Sequence, residues 1–327
     1  MRTPEFWRGR GPASTALLPA GYLYDAGGRL RRYLAKPIAA GIPVLCIGNL
    51  VAGGAGKTPL TLALAQDLTR RGIAVQILSR GYGGALAGPV RVDPATHDFR
   101  DTGDEPLLLA QAAPCIVAAD RVAGAALAVA GGAQLLLMDD GLQNPSLVQD
   151  LRLIAIDGGF GFGNDRVIPA GPLREDLGRG LARIQGAVMI GEDRFDLAER
   201  VGRVLPVARA ALVPQTDPAR WVGRRVLGFA GIGRPQKFFD TLTGLGATLV
   251  ATRSFADHHP YDVVEIAAVL DAAAESDAIA VTTAKDRLRL PPALRGRVEV
   301  LDVALAWTSD ADRRIVEHLI TPLLPGP

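Results

Sequence analysis

Short apolar runs recur along the chain, separated by stretches with helical spacing. Residues 44–47, 75–78, 116–119, 135–138 and 153–156 carry no charge. Runs this short, without regular polar alternation, predict strands buried on both faces. Between them the apolar spacing predicts helices over 58–71, 104–112 and 120–130. Strands alternating with helices predict an α/β fold built on a mostly parallel sheet. From about residue 215 the alternation resumes, with strands at 226–230, 247–252, 279–282 and 298–301 and helices at 235–243, 261–274 and 310–320. This predicts a second, smaller C-terminal α/β domain. The expected organisation is a basic segment 1–36, a core 37–215 and a smaller unit 216–327. The intervening stretch 158–185 is different. It holds Gly158, Gly159, Gly161, Gly163, Pro169, Gly171 and Pro172. A loop this long inside a compact domain is usually functional.

Charge is uneven. Residues 1–36 carry Arg2, Arg8, Arg10, Arg29, Arg31, Arg32 and Lys36 against only Glu5 and Asp25, although the whole chain has a net charge of only +2. The same segment holds Phe6, Trp7, Tyr22, Tyr24 and Tyr33 around the apolar piece 16–24. That piece is far shorter than the roughly 20 residues a bilayer span needs. It is broken by Pro19 and lacks an A-x-A site, so it reads poorly as a signal peptide. Basic and aromatic residues around a short apolar face suit a helix lying on an anionic membrane surface. They equally suit a basic helix packed on its own domain, and both readings stand at this point. Elsewhere composition excludes more than it suggests. Hydrophobic residues at 48% and charged residues at 21% are ordinary globular usage. The small net charge and 5% aromatics give no nucleic-acid footprint. Cys46 and Cys115 form neither a disulfide framework nor a zinc motif, and nothing calls for an obligate protein partner.

The strongest chemical signal is Gly53-Gly54-Ala55-Gly56-Lys57-Thr58-Pro59. It follows the strand at 44–47 and opens a helix, which is the context a phosphate-binding loop requires. Residues Val51, Ala52, Gly53, Gly54, Ala55, Gly56, Lys57 and Thr58 are the expected ATP-binding loop. Glycines let backbone N–H groups approach phosphate oxygens, and the helix start adds partial positive charge. Lys57 is expected on the β- and γ-phosphates and the Thr58 hydroxyl on Mg²⁺. The usual pattern has glycine at position 51, where this chain has Val51. Downstream, the apolar run 135–138 leads into Asp139-Asp140-Gly141. An apolar strand ending in aspartate beside the loop strand presents a carboxylate to Mg²⁺. Taken alone, the same pair reads equally as a turn cap.

Three further polar clusters stand out. Asp104-Glu105 before an apolar helix reads either as first-turn acids complementing the dipole or as an acceptor base. Asp257-His258-His259 holds two of the chain's four histidines. Adjacent histidines lack the i,i+4 spacing of a helical metal pair, so the reading there is acid–base. Arg174-Glu175 in the glycine-rich stretch reads as phosphate or acceptor positioning, or as a surface ion pair. Lys285-Asp286 in Thr282-Thr283-Ala284-Lys285-Asp286 lacks the spacing of a guanine-selective motif.

The ordered set is more informative than any member. Gly48-Asn49, Gly53–Pro59 as quoted, Ser79-Arg80-Gly81-Tyr82-Gly83, Gly103-Asp104-Glu105-Pro106, Asp139-Asp140-Gly141-Leu142-Gln143, Pro169-Ala170-Gly171-Pro172-Leu173-Arg174-Glu175, Asp257-His258-His259 and Thr282-Thr283-Ala284-Lys285-Asp286 follow one another in this order. In this the chain resembles the tetraacyldisaccharide 4'-kinases, the lipid A 4'-kinases of Gram-negative bacteria. The resemblance implies phosphorylation of the 4'-hydroxyl of tetraacyldisaccharide 1-phosphate by ATP with Mg²⁺. It implies a P-loop core, a smaller C-terminal domain and an active site in the cleft between them. It implies a lipid substrate held in the membrane, and a peripheral enzyme on the cytoplasmic face of the inner membrane. By the same resemblance Asp104 is the catalytic base, His258 its partner and Lys57 the phosphate lysine. Thr58, Asp139 and Asp140 surround the metal, and Arg121, Gln143, Arg174 and Glu175 position substrate or phosphate. A regulatory P-loop NTPase and a soluble sugar kinase share the loop. Neither accounts for both an acceptor base and a basic aromatic N-terminus.

Overall fold

The computed structural model describes residues 4–326; Arg2, one of the N-terminal basic groups, lies outside them. The chain opens with helices α1 (Pro12–Ala16) and α2 (Leu18–Leu34). There follow β1 (Val44–Gly48), α3 (Lys57–Arg70), β2 (Val75–Ser79), β3 (Val90–Arg91), α4 (Phe99–Thr102), α5 (Asp104–Leu109) and β4 (Cys115–Val117). Then come α6 (Arg121–Ala130), β5 (Leu135–Asp139), β6 (Leu151–Asp157), α7 (Leu177–Leu181), β7 (Gly186–Ile190), α8 (Leu197–Gly202) and β8 (Val207–Pro214). The remainder is β9 (Arg225–Ala230), α9 (Pro235–Gly244), β10 (Thr248–Ser254), α10 (Val263–Glu275), β11 (Ile279–Thr283), α11 (Ala284–Arg287), β12 (Glu299–Leu301), β13 (Val303–Trp307) and α12 (Asp310–Ile320).

Nine strands form one sheet in the order β13-β8-β7-β6-β1-β5-β2-β4-β3. Every pair is parallel except the two edge pairs, β13 with β8 and β3 with β4. The interior strands β1, β2, β4, β5 and β7 are buried at every residue, as uninterrupted apolar runs under helices require. A second sheet, β10-β9-β11-β12, is wholly parallel. It packs its own two apolar clusters, one around Phe229 and Tyr261 and one around Trp221 and Phe239.

Four strands, β3, β7, β8 and β13, lie where the sequence pattern predicts none. In β7 the run Ala187-Val188-Met189-Ile190 is apolar enough to have been marked; β8 is half exposed, with Arg209 in its middle, so hydrophobicity does not flag it. The expected unit 216–327 is corrected at its C-terminal end. Strand β13 pairs with β8 and so returns to the large sheet. Val316 and Ile320 on α12 join the large core. The physical reason is the open edge of β8, whose backbone groups need a partner. Periodicity gives strand and helix but not which edge a strand will find.

The N-terminal segment is helical and docks on the glycine-rich stretch. Buried Asn164 donates from Nδ2 to the carbonyls of Phe6, Gly9 and Ala170 at 3.2, 3.2 and 3.0 Å. Trp7 Nε1 donates to Pro169 O at 3.0 Å. Thus residues 158–176, irregular in pattern, are ordered by the segment they receive. Among the described residues no helix is long and apolar enough to cross a membrane.

Candidate active site

Strand β1 sits at the centre of the large sheet, between β5 and β6, and ligands in such sheets collect at the carboxyl ends of the strands. The loop leaving β1 enters α3 through Gly56, whose φ of +87° favours glycine. A Cβ there would also meet Ile190 Cδ1 at 2.6 Å. Buried Asn49 donates from Nδ2 to Gly53 O at 3.2 Å and fixes the loop's near side. Among the described residues, the N–H groups of Gly53, Gly54, Ala55 and Gly56 make no backbone hydrogen bond. They are therefore free donors at a helix start, with Lys57 as its first residue.

Val51 and Ala52, the first two residues of the expected loop, are tied to a distant segment. The Ala52 N–H donates to Pro172 O at 2.8 Å, Arg174 N–H to Leu50 O at 2.8 Å and Arg174 Nε to Val51 O at 3.2 Å. Val51 and Leu173 form an antiparallel bridge. These two residues brace the loop through 172–174, just ahead of the free N–H groups of 53–56. This also explains Val51 where the pattern has glycine: the site is bridged and buried, so a β-branched side chain fits it.

The register places Asp139 opposite Ile47, beside the loop. Its Oδ1 accepts from Thr61 Oγ1 at 2.9 Å. Burial, and then the charge of Asp140, push its carboxyl up to about 6. Asp140 turns away with φ +49° and lies 3.7 Å from Lys57 Nζ and 3.5 Å from Arg174 Nη2. Burial alone would raise its pKa, but Lys57, Arg174 and Arg121 hold it below the usual carboxylate range. Arg121 is buried at the start of α6 and donates to Ser79 O at 3.2 Å, with Nε unpartnered. Gln143 links the set: it donates to Asn49 O at 3.2 Å and to Glu175 Oε1 at 3.3 Å, and lies 3.5 Å from Arg174 Nη1. A hard cation fits here. Asp140 Oδ1 is buried without a hydrogen-bond partner, and the nearby oxygens are carboxylate and hydroxyl.

The second group of residues comes from both units. Asp104 opens α5 after Gly103, whose φ is +86° and whose Cβ would strike Tyr82 O at 2.5 Å. His258 Nδ1 lies 3.1 Å from both carboxylate oxygens of Asp104. Arg289 Nε is 3.2 Å and Lys285 Nζ 3.8 Å from Asp104 Oδ2. Lys285 also donates to Glu105 Oε1 at 2.6 Å. Arg289 is almost wholly buried, held by Asp286 and the carbonyls of Gly231 and His259. Burial would raise the Asp104 pKa, yet His258, the Glu105 contact and Lys285 hold it far below the carboxylate range. The hydrogen bond that His258 donates to Asp104 raises the imidazole pKa against its burial. Glu105 goes the other way, pushed to about 7 by burial and by its ionised neighbour. Asp104, Glu105 and His258 are close enough to share a cation, but Lys285 already supplies positive charge there.

The structure therefore brings Lys57, Asp140, Gln143, Arg174 and Glu175 into one contact network, with Asp139 joined to it through Thr61, and Asp104 and His258 into another. Thr58 starts α3 beside the first. Thr61, Lys285, Arg289 and Tyr82 carry no role in the sequence reading. Lys285 and Tyr82 lie inside quoted motifs; Thr61 and Arg289 carried no signal. The Tyr82 ring is exposed and stands edge-on to His258 at 5.8 Å. His259 stacks on Phe255 and pairs with Glu265 at 2.8 Å, away from Asp104.

Comparison with known proteins identifies relatives along the whole chain. The family model described as tetraacyldisaccharide-1-P 4'-kinase matches residues 13–321. The chain is 50% identical to the tetraacyldisaccharide 4'-kinase of Rhodospirillum rubrum, with 100% of each chain covered. It is 51% identical to that of Rhodospirillum centenum, over 100% of this chain and 98% of the relative. A crystal structure of LpxK from Aquifex aeolicus in complex with ATP is similar at a TM-score of 0.74 and 27% identity, covering 95% of this chain and 99% of that one.

Proposed function

The chain belongs to the tetraacyldisaccharide-1-P 4'-kinase family, an ATP-dependent kinase of lipid A biosynthesis, and from that premise we propose that Asp104 is the base toward the 4'-hydroxyl and His258 its partner. The observation that carries this is the 3.1 Å contact of His258 with both Asp104 oxygens. The γ-phosphoryl of ATP passes to the 4'-hydroxyl of tetraacyldisaccharide 1-phosphate. As the new P–O bond forms, the bond to the ADP oxygen breaks and the hydroxyl proton goes to Asp104.

A carboxylate held so far below its usual pKa is a weak proton acceptor. In a loose phosphoryl-transfer transition state the hydroxyl proton leaves late. Asp104 therefore acts first by orienting the hydroxyl, and takes the proton as the oxygen becomes acidic. His258, Lys285 and Arg289 keep it ionised and aimed. On the other side, the N–H groups of 53–56 and Lys57 hold the phosphates. Thr58, Asp139 and Asp140 would hold Mg²⁺, which supplies positive charge against the phosphate oxygens. Arg174, Gln143, Glu175 and Arg121 position this set.

The exposed face of α2 supports a peripheral location on the cytoplasmic face of the inner membrane. Tyr22 is 71% exposed, Leu23 75% and Tyr33 86%, with Leu30 and Leu34 also exposed. Arg29 and Arg31 are exposed beside them. Such a face fits an anionic bilayer surface, where the lipid substrate resides. The test is incubation with γ-labelled ATP and tetraacyldisaccharide 1-phosphate in detergent micelles. Label on the lipid that depends on Asp104 supports the reading; transfer undiminished in Asp104→Asn removes Asp104 from the chemistry.

A further inference from the structure

The N-terminal helix is tied to the phosphate site as well as exposed to solvent. Buried Asp25 on α2 accepts from the Asp176 N–H at 3.2 Å and pairs with Arg179. Arg32 Nη2, about two turns on, lies 3.6 Å from Glu175 Oε2. Glu175 is only 1% exposed, and its carboxylate faces Arg32, Arg183 and Gln143. The next residue back, Arg174, reaches Asp140 at 3.5 Å and Val51 O at 3.2 Å. Pro172 O, Leu173 and the Arg174 N–H complete the pairing with Leu50, Val51 and Ala52. One continuous path thus runs from α2, through 172–176, to the phosphate loop and its acid.

We propose that Asp25 and Arg32 are positioning residues of the kinase reaction: α2 clamps the 172–176 segment from outside and so sets the phosphate loop. A helix serving only as an anchor would need its exposed face and nothing more. Here its inner face supplies an acceptor and a cation to residues adjoining the site. The proposal rests on the reading of 53–58 as the phosphate loop. It further means that ATP affinity does not survive intact when the segment is removed, as a pure anchor would require.

The test uses the full chain and a fluorescent ATP analogue, titrated without lipid or detergent, alongside turnover in micelles. Without lipid an anchor role cannot influence the result. Arg32→Ala should weaken nucleotide affinity by about fivefold, near the upper end for a partly exposed ion pair. Arg32→Lys should restore most of it, which a simple packing role would not predict. In a Glu175→Gln background, Arg32→Ala should add nothing further. Asp25→Asn, which keeps shape and loses charge, should move affinity in the same direction. Unchanged affinity in Arg32→Ala, or an equal extra loss in the Glu175→Gln background, overturns the proposal. Lys57→Ala separates the two readings. If it leaves affinity intact, the phosphate-loop assignment itself fails; if it alone destroys binding, only the clamp fails.

Discussion

Asp104 and His258 should behave as one unit, and the structure says by how much each alone should matter. Asp104→Asn keeps the volume beside Arg289 while removing the charge, so the cluster is disturbed less than by truncation. A positioned general base is worth about 10²–10⁴ in rate, and we expect roughly 10³, or about 4 kcal/mol of transition-state stabilisation. His258→Ala should cost less, about 30- to 100-fold. Asp104 retains Arg289 at 3.2 Å and Lys285 at 3.8 Å, and so stays ionised without the imidazole. What His258 adds is orientation, through its contact with both oxygens. Once the carboxylate is gone, the imidazole has nothing to orient. The double variant should therefore fall within about threefold of Asp104→Asn. The assay is single-turnover transfer of labelled phosphate to micellar lipid at saturating ATP, with thermal melts confirming the fold. Multiplied losses, near 10⁵ in the double variant, would show that the two residues act separately and sink the dyad.

Lys57→Ala and Thr58→Ala should each lose at least about a hundredfold in turnover while folding normally, since they open α3 and line no core; near-parental turnover at saturating ATP would refute the loop assignment. Glu105, raised to about 7, is stabilised in its protonated form, a contribution present below its unfolded pKa and lost as pH rises through about 7. Glu105→Gln mimics that form, so its turnover at pH 6 should stay within about threefold of the parent and the pH dependence near 7 should flatten; a pH profile superimposable on the parent's would count against it. His258 is raised by Asp104, so its ion-pair contribution to stability is full below about 6.5 and fades as pH rises through its higher folded value. Melting temperature against pH should show this in the parent and not in His258→Ala. Replacing Tyr22, Leu23 and Tyr33 together with serine should weaken sedimentation with anionic vesicles at high salt, where the apolar term is what remains; binding equal to the parent would place the membrane surface elsewhere.

Much of this was legible in the residues because it is local. Buried parallel strands need unbroken apolar runs, and 44–47, 75–78 and 135–138 are such runs. A phosphate cradle needs glycines and a cation at a helix start, and these are contiguous at 53–58. The acids at 139–140 follow a strand directly. Asp104 and His258 were identified through their place in an ordered motif series, and neither residue type alone would have singled them out.

Other features belong to the tertiary structure, for a physical reason: they depend on which surfaces meet. Strand β13 follows the small sheet in sequence yet fills an edge of the large one, because hydrogen-bonding edges are satisfied in space. Val51 departs from the loop pattern and is accepted because Leu173, far along the chain, bridges it. Arg289 and Lys285 bear on Asp104 across about 180 residues, a distance no spacing rule covers. Charge and aromatic content predicted the outward face of α2. Its inward face, with Asp25 on Asp176 and Arg32 on Glu175, emerges only when the helix is laid against the loop it orders. Sequence periodicity specifies what each segment can bury; packing decides what it is buried against, and in this protein that second decision is what assembles the site.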